Sequence, residues 1–256
     1  MCVSTDAEDT GADAGATTAT GPVEQTGSDD SRARNVAPES RWPPAAAILL
    51  VVASYVFLPS VLPELQRWIV AAVILLLMIP LFILNPHRLT KETGWSRILE
   101  GSLAFVILLA NQVSLVEVIL LLTHKSDHGD ALLLAALQVF LTNVIAFALV
   151  FWILDRGGPV ARVHVPRQEL NHADFRFPQD EDHDAIVEVA KGSSAKLDWV
   201  PNFYDYAYFS LSNSMAFSAT DTMPLSHRSK GLMALESFAG FVLLGLVIAR
   251  AVSLIG

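Results

Sequence analysis

The chain is nearly free of cysteine: Cys2 stands alone in 256 residues, which excludes an internal disulfide and a metal cluster built on thiolates. Charge is scarce too, at 17% of residues where a typical soluble domain carries about 25%. A Ser-His-Asp order, a glycine-rich phosphate loop, an HExxH motif and a dinucleotide fingerprint are all missing, and the hydroxyl-rich stretch 210–222 comes with no identifiable general base. These absences argue against an enzyme, and no catalytic residue, cofactor or fixed metal-ligand set is expected. Acids outnumber bases, 26 to 17. That excess sits in tails and loops rather than on a folded face, so no nucleic-acid partner is expected.

What the chain has instead is apolar length. Hydrophobic residues make up 52% of it and are gathered into runs rather than amphipathic stripes. A helix needs about 20 apolar residues to cross the roughly 30 Å hydrocarbon core of a bilayer. Runs at 45–62, 68–84, 98–122, 131–154 and 231–255 therefore predict an all-α protein with about five transmembrane helices, multi-pass in the cell membrane with the lipid bilayer as its solvent. Residues 1–43 carry eight acids against Arg32, Arg34 and Arg41 and read as a disordered acidic tail. Four spans follow over 44–154, the first opened by Trp42-Pro43-Pro44, an interfacial aromatic with a proline-led helix start. Residues 155–201 form a polar loop whose aromatics suggest partial order, and 202–256 form the last unit. No apolar segment precedes Cys2, so the first helix is expected to serve as the insertion signal.

The stretch Asn202 to Phe217 is too polar and too short for a comfortable span, and a clear span follows it. A short half-polar helix, an irregular stretch and a spanning helix are the order of a re-entrant pore loop, because irregular backbone at membrane depth has to line a protein-enclosed cavity. Tyr208-Phe209-Ser210-Leu211 opens this segment, Asp221-Thr222-Met223-Pro224-Leu225 closes it, and Ala249-Arg250 ends the last helix. In these residues 202–256 resembles the pore module of the two-helix potassium channels. The resemblance implies a homotetramer, monovalent cations as partners, and a filter-like set of Ser214, Phe217, Ser218, Ala219, Thr220 and Asp221. It also implies altered selectivity. Ser218 and Thr220 stand where the family has its two filter glycines and Ala219 where it has tyrosine, and a carbonyl-lined filter uses glycine where a side chain opposes the conformation.

A broader similarity over about 42–256 links the chain to bacterial multi-pass membrane proteins without an assigned activity. It is carried by Trp152 to Pro159, Asp174 to Gln179 and Ala216 to Leu225, and implies family membership but no chemistry.

Two arguments about orientation disagree. A pore loop entering from outside, as in potassium channels, puts the N-terminus outside when five helices are counted back. The positive-inside rule puts it inside, with Arg32, Arg34, Arg41, Arg88, Lys91 and Arg97 cytoplasmic.

Several polar residues fall within the apolar runs. Glu117 lies well inside the third run, where an ionised carboxylate costs about 2.5–3.5 kcal/mol on insertion scales, so it should face protein, water or a proton partner, or lie near an interface. Asn111, Gln112 and Asn143 are placed to hydrogen-bond between the third and fourth helices. Glu236 is expected to face Arg228 or Lys230 near the membrane surface. The patch His172, Asp174, Asp180, Glu181, Asp182, His183 and Asp184 lacks metal-ligand spacing and reads as a solvated loop. Asp155-Arg156 reads as a local ion pair fixing the Gly157-Gly158-Pro159 turn. Asp221 is either an acid that concentrates cations at a filter mouth or a turn residue before Pro224. The function expected is accordingly a channel-like path for cations or small solutes without the usual potassium selectivity. The competing expectation is a non-conducting, partner-binding scaffold in which Phe217 and Met215 fill a dry interior.

Overall fold

A computed structural model describes residues 37–58, 63–85, 87–90, 93–123, 129–181, 187–194, 198–216 and 222–255. Helix α1, Trp42–Phe57, carries Pro43 and Pro44 in its first turn, where a missing N–H has no partner to lose. It stops at Phe57 although the apolar run continues, because Leu58 precedes Pro59 and is driven to an extended conformation (φ −91°, ψ 156°). At 16 residues it is about 24 Å long, the shortest of the apolar helices that were read as spans. Helix α2, Glu64–Leu84, runs on through Pro80.

Helices α3, Gly94–Thr123, and α4, Gly129–Leu154, come next. The α3 helix begins earlier than the apolar run at 98 because Thr93 and Ser96 cap each other. The Ser96 amide donates to Thr93 Oγ1 at 3.1 Å and the Thr93 amide to Ser96 Oγ at 2.9 Å. Among the described residues, four helices are long and apolar enough to cross a membrane, over Arg67–Leu84, Gly94–Thr123, Ala131–Gly157 and His227–Ser253.

The described residues of 155–201 are partly packed against the bundle, with Asp155, Arg162, Asp174, Phe175 and Phe177 buried. They contain α5, Pro159–His164, the strand β1, Phe175–Arg176, and α6, Val187–Ala190. The last unit comprises α7, Phe203–Ala216, β2, Met223–Pro224, and α8, His227–Ile255. Strands β1 and β2 pair antiparallel, Phe175 opposite Pro224 and Arg176 opposite Met223. Helix α8 also starts before its apolar run, on a reciprocal cap between Ser226 and Ser229.

Helix α4 is the centre of the molecule, in contact with α1, α3, α7 and α8, and Ala146, Phe147, Ala148 and Phe151 on it are fully buried. One apolar core joins α1 to α4 with α7, and a second joins α3, α4 and α8. The outward surface is apolar as well: Leu76, Ile79, Phe105, Leu120, Phe238 and Phe241 are exposed. In water that exposure would be costly, whereas hydrocarbon solvates it.

The end of the tail is also part of the fold, contrary to its reading as a disordered segment through residue 43. Ser40 bridges to Arg88, the Arg41 amide donates to the His87 carbonyl at 3.1 Å, and the Leu89 amide donates to the Glu39 carbonyl at 3.0 Å. Residues 1–36 lie outside the described residues.

Candidate functional site

At one end of the bundle a polar network ties the tail, α4, the loop, α7 and α8 together. Its centre is Asp155, fully buried where α4 ends. The turn that follows requires left-handed backbone at Arg156 (φ 52°), Gly157 (φ 83°) and Gly158 (φ 101°), which explains the paired glycines. Asp155 Oδ1 accepts the Asp174 amide at 2.8 Å and the Phe175 amide at 3.3 Å, and Oδ2 accepts the Tyr206 hydroxyl at 2.6 Å. The pair with Arg156 exists at 3.9 Å, but Arg156 makes its close contact with Asp180, at 2.5 Å.

Arg162 is fully buried beneath this turn. Its guanidinium donates to the Trp152 carbonyl at 2.7 Å and the Asp155 carbonyl at 3.0 Å, sits 5.0 Å over the Tyr206 ring, and lies 3.9 Å from Glu39. Glu39 in turn accepts the Trp152 indole N–H at 3.1 Å and the Phe203 amide at 2.6 Å. Burial raises the Glu39 carboxyl above its ordinary value, and Arg162, Trp152 and Phe203 oppose that shift. Asp174 is buried and holds Arg228 in a two-pronged pair, with Nε donating at 2.7 Å and Nη2 donating to the other oxygen. The acidic loop patch is thus largely structural: Asp174, Asp180 and Glu181 each pair with an arginine, while Asp182, His183 and Asp184 lie outside the described residues. No cluster of metal-binding side chains occurs among the described residues.

Helix α7 starts from this network. Asn202 and Asp205 cap it reciprocally, the Asn202 amide donating to Asp205 Oδ2 at 2.8 Å and the Tyr204 amide to Asn202 Oδ1 at 2.9 Å. Its inner face changes character along its length. Phe203, Tyr206 and Phe209 are buried among aromatics, with Phe151, Phe175 and Phe209 ring centroids 5.0–5.3 Å apart. One turn further on, Ser210, Asn213 and Ser214 are buried. The opposite face, Tyr204, Tyr208, Leu211 and Met215, is exposed. The spacing of both sets follows one helical stripe.

The polar half of the inner face meets Glu236 of α8, which is fully buried. Ser214 Oγ donates to Oε1 at 3.0 Å, Asn213 Nδ2 to Oε2 at 2.6 Å, and Ser210 Oγ contacts Oε1 and the Val144 carbonyl, the latter at 2.8 Å. Ser237 donates to Asn213 Oδ1 at 2.8 Å. The expectation that Glu236 would face Arg228 or Lys230 is overturned: Arg228 is taken by Asp174, and the face of α8 that carries Glu236 turns inward to α7. Gly240 lets the two helices come this close, since a Cβ there would lie 2.4 Å from the Ser214 carbonyl oxygen.

Between α3 and α4, Asn111 Nδ2 donates to Asn143 Oδ1 at 2.8 Å and Gln112 Nε2 to the same oxygen at 3.3 Å. Asn111 Oδ1, Asn143 Nδ2 and Glu117 Oε2 are buried with no hydrogen-bond partner among the described residues; Glu117 itself is half-buried. A double-mutant cycle of Asn111→Ala and Asn143→Ala is expected to give a coupling of about 0.6 kcal/mol, and not above about 1.7, the range for polar pairs between membrane helices. Unfolding in detergent measures it.

Of the filter-like set, Ser214 is placed, and it faces Glu236. Phe217, Ser218, Ala219, Thr220 and Asp221 lie outside the described residues. Met215 is exposed rather than filling a dry interior. Sequence reasoning missed Glu39, Arg162 and Tyr206. The signal was thin for each: Glu39 reads as one more tail acid, and Arg162 lies in a loop rich in both charges. The fold and site define an all-α protein built on four helices long and apolar enough to cross a membrane, with a short polar helix inserted between α4 and α8. No family model, curated protein or solved structure matches the chain.

Proposed function

We propose that this is a multi-pass membrane protein in which 203–226 is a re-entrant, channel-like loop, passing cations or small solutes without the usual potassium selectivity, in a homo-oligomer that the resemblance makes a tetramer. One observation carries the proposal: both ends of this segment are held by the same polar network. The Phe203 amide is bound by Glu39, and residues 223–226 are bound by β1 and Asp174. Between them α7 has 14 residues and runs about 21 Å into the bundle, too short to cross. The six steps from Ala216 to Thr222 reach about 20 Å, enough to bring the chain back.

The direction of α7 favours cations, because its carbonyl end, carrying about −0.5 charge, points toward the membrane interior. Its inner polar face is occupied by Glu236, so the path belongs to the side of Tyr208 and Met215 and to the following Ser218 and Thr220, between subunits. Arg41, Arg88, Arg97 and Arg228 lie at the end from which α7 enters. The positive-inside rule makes that end cytoplasmic, which reverses the loop relative to potassium channels.

The occupied inner face also favours a second reading, a sealed loop on a non-conducting scaffold. Cation flux into liposomes separates the two. Wild type is expected to conduct and Asp221→Asn to conduct several-fold less at equal insertion; silence from folded wild type would leave the scaffold.

A further inference from the structure

Glu236 is a fully buried carboxyl within a helix long and apolar enough to cross a membrane. Its partners are Ser210, Asn213 and Ser214, and no described Lys, Arg or His pairs with it. The groups able to influence it can be named by element. On α7 they are Tyr204, Asp205, Tyr206 and Tyr208, with the Tyr206 hydroxyl committed to Asp155. On α3 they are Arg97, Glu100 and Glu117. On α8 itself they are His227, Arg228, Lys230 and Arg250, with Arg228 committed to Asp174. Helix α4 carries no charged or titratable side chain from Ala131 to Leu154.

The hydrogen count identifies what completes the site. Ser210 has one hydroxyl hydrogen and two oxygens in contact, Val144 O and Glu236 Oε1. With Glu236 as a carboxylate, one contact joins two oxygens with no hydrogen between them. With a proton on Oε1, Glu236 donates to Ser210, Ser210 donates to Val144, and Ser214 and Asn213 donate to the two carboxyl oxygens as before. The contacts of Glu236 with Ser210, Asn213 and Ser214 then each hold a hydrogen, as does that of Ser210 with Val144, and no unpaired charge is buried.

We infer that Glu236 is a proton-binding site that latches α7 onto α8. The carboxyl holds its proton while α7 is docked. Releasing that proton to water leaves an unpaired buried carboxylate and turns the Ser210 hydrogen from Val144 to Glu236, so that contact of α7 with α4 is lost. The cost of the buried charge then favours opening of the last turns of α7, which precede 217–221 in the chain. The proton site stands without the channel reading; only its consequence for 217–221 rests on it.

The test uses the full chain in lipid vesicles and infrared spectroscopy. Wild type minus Glu236→Gln is expected to show a protonated-carboxyl C=O band at neutral pH that is lost at alkaline pH. The Gln amide is neutral like the protonated acid, its NH2 donating to Ser210 and its oxygen accepting from Asn213, while the Ser214 hydroxyl must turn to accept the second amide hydrogen; this variant should stay close to wild-type thermal stability. Its α7 amide exchange should be no faster in alkali than base catalysis alone requires, while the wild type gains an extra acceleration in the last two turns. Carboxylate bands alone at neutral pH would overturn the inference, as would equal acceleration in both proteins. Should the Gln variant fail to assemble, Ser210→Ala decides: a shifted carboxyl band in it supports the site, and an unchanged one overturns it. None of these readouts requires flux, so a silent protein can still pass and a conducting one can still fail.

Discussion

Asp155→Ala is expected to destabilise the protein by about 3–5 kcal/mol, the cost of removing one partner from a buried ionic network. The side chain is fully buried and satisfies two backbone amides and the Tyr206 hydroxyl. Its removal strands all three in a region closed to water and deprives Arg156 of a nearby charge. Asp155→Asn keeps an oxygen for the two amides and can donate its NH2 to the Tyr206 oxygen, losing the charge and the acceptor for the Tyr206 hydrogen, so it should cost less than Asp155→Ala. Denaturant unfolding in detergent, read by tryptophan fluorescence, measures both, and Trp152 and Trp199 beside the network report on it. Equal stability of Asp155→Ala and wild type would mean that the network does not hold this end together.

Gly240→Ala is expected to separate α7 from α8. The added Cβ would meet Ser214 O at 2.4 Å, its carbonyl carbon at 3.2 Å and its Cα at 3.3 Å, all backbone atoms that cannot rotate away. Overpacking of this kind costs about 1–3 kcal/mol, and Gly240→Val should cost more. The same displacement pulls Ser214 from Glu236, so the loss should exceed that of an Ala placed elsewhere on the helix. Gly245→Ala is the control, because nothing lies within 4 Å of its Cβ position; it should be neutral or slightly stabilising, as alanine is the better helix former. Comparable thermal unfolding of the two variants would contradict the close approach.

How much of this was legible in the sequence depends on the length scale of the signal. The long helices were visible because apolar run length is a property of consecutive residues. The runs beginning at 131 and 231 lie within α4 and α8. Helix ends were less visible, because caps are made by polar residues outside the run: Thr93 with Ser96 starts α3, and Ser226 with Ser229 starts α8. The stop at Phe57 was readable from Pro59, but the apolar residues after it concealed it. Asn111 and Asn143 were identified as a pair across two adjacent runs, where few partners compete.

Glu236 shows the limit from the other side. By sequence its neighbours were Arg228 and Lys230, and the rotation of α8 that turns it toward Ser210, Asn213 and Ser214 is set by packing around Gly240. The pairs Glu39 to Phe203 and Asp174 to Arg228 join residues far apart in the chain, so no local pattern announces them. Sequence alone determined that the chain is helical, that its runs are long enough for a bilayer, and that 202–217 is too short and polar to behave like the others. Only the tertiary structure decided which polar groups meet, because burial makes an unpaired charge or amide costly and long-range packing supplies the partners that remove that cost.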